Sequence, residues 1–201
     1  MGNPPMTPLA DLWLPILVSG VAVFLLSALM WMVMPHHKKD FSALPDEDGL
    51  MALLRGRVSG GQYSVPHCDG HAKMKDPAWQ AKQKLGPSGL LYLMPGCPNM
   101  GKAMILSLIH NLVIAALVAF VASHTLHPGA DIKSIFRIIG TTTVLAYCGA
   151  RFADAIWMGH SWRAVATQVI DGVVYGIVTA GIFGALWPDS VRLDMWGAQA
   201  N

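Results

Sequence analysis

A chain of 201 residues would suit one soluble domain, but 53% of these residues are hydrophobic and only 13% are charged, about half the ~25% charged share of ordinary globular domains. The net charge of +2 is too small to point to a nucleic-acid partner. With twelve methionines and seven tryptophans, the composition is that of an integral membrane protein, with the lipid bilayer as its first partner.

A bilayer core of ~30 Å takes ~20 largely apolar residues in helical form. The first such stretch, 13–34, carries no charge. It lacks a basic leader and its apolar run is long, so it reads as an uncleaved anchor rather than a signal peptide. Three more stretches follow at 103–122, 135–157 and 165–187. Tryptophans at the expected ends (Trp13, Trp31, Trp157, Trp162 and Trp187) suit the headgroup layer. The expected fold is therefore an all-α membrane protein with four transmembrane helices. It divides into 1–35 (outer N-terminus and first helix), 36–102 (a long connection), 103–188 (three further helices) and 189–201 (an outer C-terminal tail).

Basic residues set the orientation. Residues 1–12 have none, whereas the long connection opens His36-His37-Lys38-Lys39 and adds Arg55, Arg57, Lys73, Lys75, Lys82, Lys84 and Lys102. The short connection before the last helix has Arg163, and the opposite side has only Lys133, Arg137 and Arg192. Both termini are thus expected outside, with the connection in the cytoplasm, where Cys68 and Cys97 would be reduced thiols.

Within the connection, the acidic run Asp46-Glu47-Asp48 ahead of Leu50, Met51, Leu53 and Leu54 predicts a short amphipathic helix. Asp76-Pro77 predicts a second, capped by the aspartate and opened by the proline. Residues 62–65 and 90–94 read as extended segments able to pair as two strands. His67, Cys68, His71 and Cys97 form a candidate tetrahedral metal set, but without a paired Cys-x-x-Cys half they match no established finger spacing. There is no Cys-x-x-Cys-His for haem and no phosphate-binding glycine loop. No cofactor and no catalytic set are expected.

The informative residues are the polar ones inside the apolar stretches, each costly in lipid unless partnered. Counting 1.5 Å per residue from the inner interface, Arg151, Asp171, His110 and Asn111 fall in one layer, with Asp154 a turn from Arg151. An Arg151–Asp171 ion pair is the natural expectation. It reads first as a structural bridge between the last two helices, then as a proton or ion pathway with His110 as relay, then as a site for an anionic headgroup or quinone. Gly172, Gly176, Ala180 and Gly184 recur every fourth residue, a small-residue ridge against which another helix can pack closely.

Met74-Lys75-Asp76-Pro77, Gly86-Pro87-Ser88-Gly89, Met100-Gly101, Ile156-Trp157-x-Gly159-x-x-Trp162 and Asp171-Gly172-x-x-Tyr175-x-x-x-Thr179-Ala180-Gly181-x-Phe183 occur in this order. The arrangement resembles an uncharacterised family of small four-span bacterial inner-membrane proteins, a resemblance that brings no established activity and implies a bacterial inner-membrane location. The functional expectation is a non-catalytic accessory or assembly subunit of a larger membrane complex, partnered by other membrane subunits or by itself. The competing expectations are a small proton, ion or solute transporter using the polar layer and, last, a quinone- or lipid-binding membrane enzyme.

Overall fold

The computed structural model describes residues 6–189. A single 3-10 turn at Leu9–Leu12 leads into α1, Trp13–Met32. Pro35 ends this helix: the residue before a proline is pushed out of the helical region, and Met34 is extended. The connection holds α2 (Glu47–Leu54), β1 (Gly61–Val65), the single turn α3 (His71–Met74), α4 (Pro77–Leu85) and β2 (Gly89–Leu93). The bundle resumes with α5 (Met100–Ser123), α6 (Ile132–Cys148), α7 (Arg151–Met158) and α8 (Trp162–Leu186).

Side chains satisfy the free amides at most helix starts. Asp46 accepts from Gly49 N at α2, Asp76 from Ala78 N at α4, Asn99 from Lys102 N at α5 and Ser161 from Ala164 N at α8. Strands β1 and β2 pair antiparallel, Gly61 opposite Leu93 and Val65 opposite Gly89, as the two extended segments predicted. Cys68, Cys97 and Cys148 are free thiols.

Among the described residues three helices, not the expected four, are long and apolar enough to cross a membrane: Leu9–Met32, Met100–Ser123 and Trp162–Leu186. The expected span 135–157 is broken at Gly149 and Ala150 into α6 and α7. Glycine is a poor helix former, and the backbone here leaves no room for a side chain, since a Cβ on Gly149 would lie 2.7 Å from the Leu145 carbonyl oxygen. What remains, α6, has only 17 residues and carries Lys133 and Arg137 in its first two turns. The expected tail at 189–201 lies, beyond Asp189, outside the described residues, as does Arg192.

Helix α6 nevertheless returns the chain along α8 in antiparallel register. Ile132 faces Gly184, Gly140 faces Ala180, Val144 faces Gly176 and Cys148 faces Gly172. The ridge of small residues is the surface that α6 packs on. At one end of the bundle Thr7 N donates to Leu126 O, Gly129 N to Pro188 O, and Trp187 Nε1 to His127 O. The segment before α1 and the end of α8 therefore share that end. The core between them is small: Leu12, Val118, Ala119, Ile135, Ile139, Ala180 and Phe183. Most of the apolar side chains on α1 and α5 face outward instead, a surface suited to lipid.

Candidate functional site

The other end of the bundle carries a polar cluster. Helix α8 places Arg163, Thr167 and Asp171 four residues apart, hence on one face. That face presents a guanidinium, a hydroxyl and a carboxylate in turn, and Tyr175 and Thr179 continue it into the core. Opposite it sits the turn closing α1. Pro35–His37 forms a single 3-10 turn, Lys38 N donates to Pro35 O at 3.1 Å, and Asp40 N donates to His37 O at 3.0 Å. This tight winding aims two consecutive histidines and Asp40 at α8.

Asp171 takes both histidines. His36 Nε2 lies 2.9 Å from Oδ1 and His37 Nε2 2.8 Å from Oδ2. The other nitrogen of His37, Nδ1, is 2.7 Å from Asp40 Oδ2. Asp40 also accepts the Thr167 hydroxyl at 2.7 Å, and its second oxygen is 3.7 Å from the Arg163 guanidinium. Arg163 further donates to the His36 carbonyl at 3.0 Å. Trp31 stacks on the His37 ring, with centroids 3.9 Å apart and planes 12° from parallel. The side chains of Asp40, Asp171 and His37 are 1%, 3% and 5% exposed; that of His36 is 25% exposed.

Burial of the His37 ring works against its charged form, but the hydrogen bonds to Asp40 and Asp171 and the charges of both carboxylates outweigh it and raise its pKa. For Asp40, burial pushes the pKa upward. The bonds from His37 and Thr167 and the positive charges of His37 and Arg163 overcome that and hold the carboxyl below its usual range. One Nε2 from each of His36 and His37 and a carboxylate oxygen of Asp171 lie within 4.8 Å of one another, a set able to hold a metal ion.

The expected Arg151–Asp171 pair is not formed. The break at Gly149 starts a new helix at Arg151, whose guanidinium turns to Asp154 at 3.5 Å, with both side chains about a third to a half exposed. Asp171 is buried as expected but meets histidines instead. Asn111 is buried; its amide nitrogen donates to Ser107 O and its oxygen accepts the Tyr147 hydroxyl at 2.6 Å. His110 is exposed on the protein surface, edge-on to Tyr147. Two adjoining cavities do gather most of these residues. One of ≈310 Å³ is lined by Trp31, Tyr147, Arg151, Gln168, Asp171 and Tyr175. The other, of ≈410 Å³, shares Trp31, Tyr147, Arg151 and Tyr175 and adds His110 and Asn111.

Among the described residues, His67, Cys68, His71 and Cys97 supply no group of three ligating atoms. His67 Nδ1 is bonded to Ser64, and the Cys68 thiol points at the Gly70 carbonyl. The residues that sequence reasoning passed over are His36, His37, Asp40, Arg163 and Thr167, because the His-His-Lys-Lys run reads first as an orientation signal. The usable signal was Pro35-His36-His37-x-x-Asp40 directly after an apolar stretch, set beside the four-residue spacing of Arg163, Thr167 and Asp171. No family model, curated protein or solved structure matches the chain.

Proposed function

We propose that the chain is a non-catalytic accessory or assembly subunit of a larger complex in a bacterial inner membrane. The observation that carries this reading is the state of the connection. Not one residue from 41 to 99 is buried, although the segment holds two strands and three helices. Phe41, Leu85 and Met94 are 80%, 88% and 70% exposed. A segment with this much apolar surface and no core gains nothing from standing alone in water; a partner subunit would supply the missing cover. Its lysines and arginines favour the cytoplasmic side, with the Thr7 end of the bundle outside.

The test is mild-detergent purification of the full chain with a photo-crosslinking residue at Phe41 or Leu85. A stoichiometric protein partner captured at both positions supports the reading. A monodisperse, uncrosslinked chain that is stable on its own overturns it. Cys97, which is exposed, reports orientation: it should react with a membrane-impermeant thiol reagent only after the cytoplasmic face is opened.

A second reading, transport of a proton, ion or small solute, is favoured by one feature. Arg151 lines both adjoining cavities, sharing one with Asp171 and the other with His110 and Asn111. Flux in liposomes that disappears in Arg151→Gln would favour it over the subunit reading.

A further inference from the structure

We propose that His36, His37 and Asp171 form a binding site for one divalent cation of the zinc class. The site is distinct from the exposed connection on which the accessory reading rests.

The donor set comes first. Two imidazole nitrogens and one carboxylate oxygen converge within 4.8 Å. Such a mixed nitrogen and oxygen set suits borderline divalent ions, whereas calcium and magnesium favour oxygen alone. Both histidines present the same atom, Nε2, to the same carboxylate, so closing around an ion takes small side-chain shifts rather than a refold.

The hydrogen-bond inventory comes second. His37 has a carboxylate at each ring nitrogen, Asp40 at Nδ1 and Asp171 at Nε2. A neutral imidazole has one N–H to give. With that hydrogen on Nδ1 toward Asp40, Nε2 offers its lone pair on the Asp171 side, the state in which it can ligate an ion that displaces the His37–Asp171 hydrogen bond. An Asp40 carboxylate on the far nitrogen is also the arrangement that fixes the tautomer and orientation of a metal-ligating histidine. Asp40 is itself held by Thr167 and flanked by Arg163, and Trp31 stacked on the ring limits its rotation. Such an outer layer is more than a hydrogen-bonded loop closure requires.

Charge and access come third. Two nearly buried carboxylates, Asp40 and Asp171, face the cluster against one half-exposed guanidinium, Arg163. The two carboxylates would attract a dication to this site. The part-exposed His36 leaves a route from solvent and a side on which water can complete the coordination.

The experiment uses the full chain in detergent, carrying an affinity tag without histidines, stripped with chelator, loaded with Zn²⁺ and desalted. Elemental analysis should find about one zinc per chain, and affinity measured against a chromophoric chelator should fall by about 100-fold in His36→Ala and in His37→Ala. Asp40→Asn should lower it by about 10–100-fold, as loss of an outer partner does. His67→Ala and Cys68→Ala should bind as wild type. Co²⁺ in place of zinc should give d–d bands without a thiolate charge-transfer band. Because Asp171→Asn risks misfolding, the part-exposed His36 is the deciding variant. A wild-type chain that retains no zinc, a His36→Ala chain that binds unchanged, or a thiolate band with cobalt would each overturn the site.

Discussion

The hydroxyl of Thr167 donates to Asp40 at 2.7 Å across 127 positions of sequence, tying α8 to the turn that closes α1. Thr167 also lies within reach of the Ala164 and Arg163 carbonyls, so its side chain is committed to this junction. Asp40 has few other donors, and its Oδ1 has no hydrogen-bond partner. Removing the hydroxyl without changing side-chain volume isolates the bond. Thr167→Val should lower stability by ~1.5–3 kcal/mol, the range for hydrogen bonds to charged groups. Thr167→Ser should retain most of it. Unfolding by denaturing detergent, followed by circular dichroism, measures both.

Close packing of α6 on α8 makes an ordered prediction for the small-residue ridge. A Cβ on Gly176 would stand 2.7 Å from Val144 Cγ2 and 3.2 Å from the Gly140 carbonyl oxygen, whereas one on Gly184 meets only the flexible tip of Ile132. A Cβ on Gly181 meets nothing within 4 Å. Gly176→Ala should therefore cost ~1–3 kcal/mol through overpacking. Gly184→Ala should cost less, and Gly181→Ala should be neutral or stabilising. Equal effects at all three positions would mean that α6 does not lie on this ridge in the folded protein.

Most of the architecture could be read from apolar runs and capping residues. The α1 and α5 stretches are charge-free or nearly so for twenty residues, and Asp76-Pro77 marks a helix start by local chemistry alone. The third stretch reads as one span because hydropathy averages across the break at Gly149 and Ala150, where the helix gives way to a turn. The site was half legible. Asp171 had to have a partner inside the bundle, but residue depth along a helix does not give azimuth. Once the helix restarts at Arg151, its guanidinium points toward Asp154. The actual partners lie 134 and 135 positions away, in a turn whose basic composition explained itself as an orientation signal.

A half-exposed Arg151–Asp154 pair at 3.5 Å is worth ~0–1 kcal/mol, far below the ~3–5 kcal/mol expected when one partner of a buried pair is removed. Arg151→Gln should leave stability within the smaller range. Asp171→Asn, which leaves two histidines facing an amide, should approach the larger one. Parallel unfolding curves for the two variants decide between the arrangements.

Acid should loosen the start of α6. Asp131 accepts from the Ser134 hydroxyl at 2.6 Å, from Ser134 N at 3.1 Å and from Lys133 N at 3.0 Å. The Ser134 hydroxyl bond leads the causes that hold its pKa below 3.8; the amide bonds and the Arg137 charge add to it, and partial desolvation opposes. A carboxyl depressed in the folded state contributes stability that is fully present above its unfolded value and is lost as pH falls through the folded one. Thermal melts from about pH 6 down to pH 2 should show a steeper acid loss in wild type than in Asp131→Asn, which cannot titrate at this position. Coincident acid limbs would remove Asp131 from the account.

The Tyr147–Asn111 bond joins α6 to α5 beside the larger cavity, and it tests whether these two helices depend on polar contact at this level. Tyr147 donates its hydroxyl to the Asn111 oxygen at 2.6 Å, while the Asn111 nitrogen is satisfied by its own helix at Ser107 O. Tyr147→Phe therefore leaves one buried acceptor without its donor and disturbs little else, because the ring still packs edge-on to Tyr175 at 5.2 Å. Hydrogen bonds between membrane helices average about 0.6 kcal/mol and reach about 1.7 kcal/mol. Tyr147→Phe should fall in that range. Asn111→Leu should remove the same bond and fill the space with apolar volume, so the double variant should cost less than the sum of the two single ones. Strict additivity would show that the hydroxyl and the amide do not meet in the folded bundle.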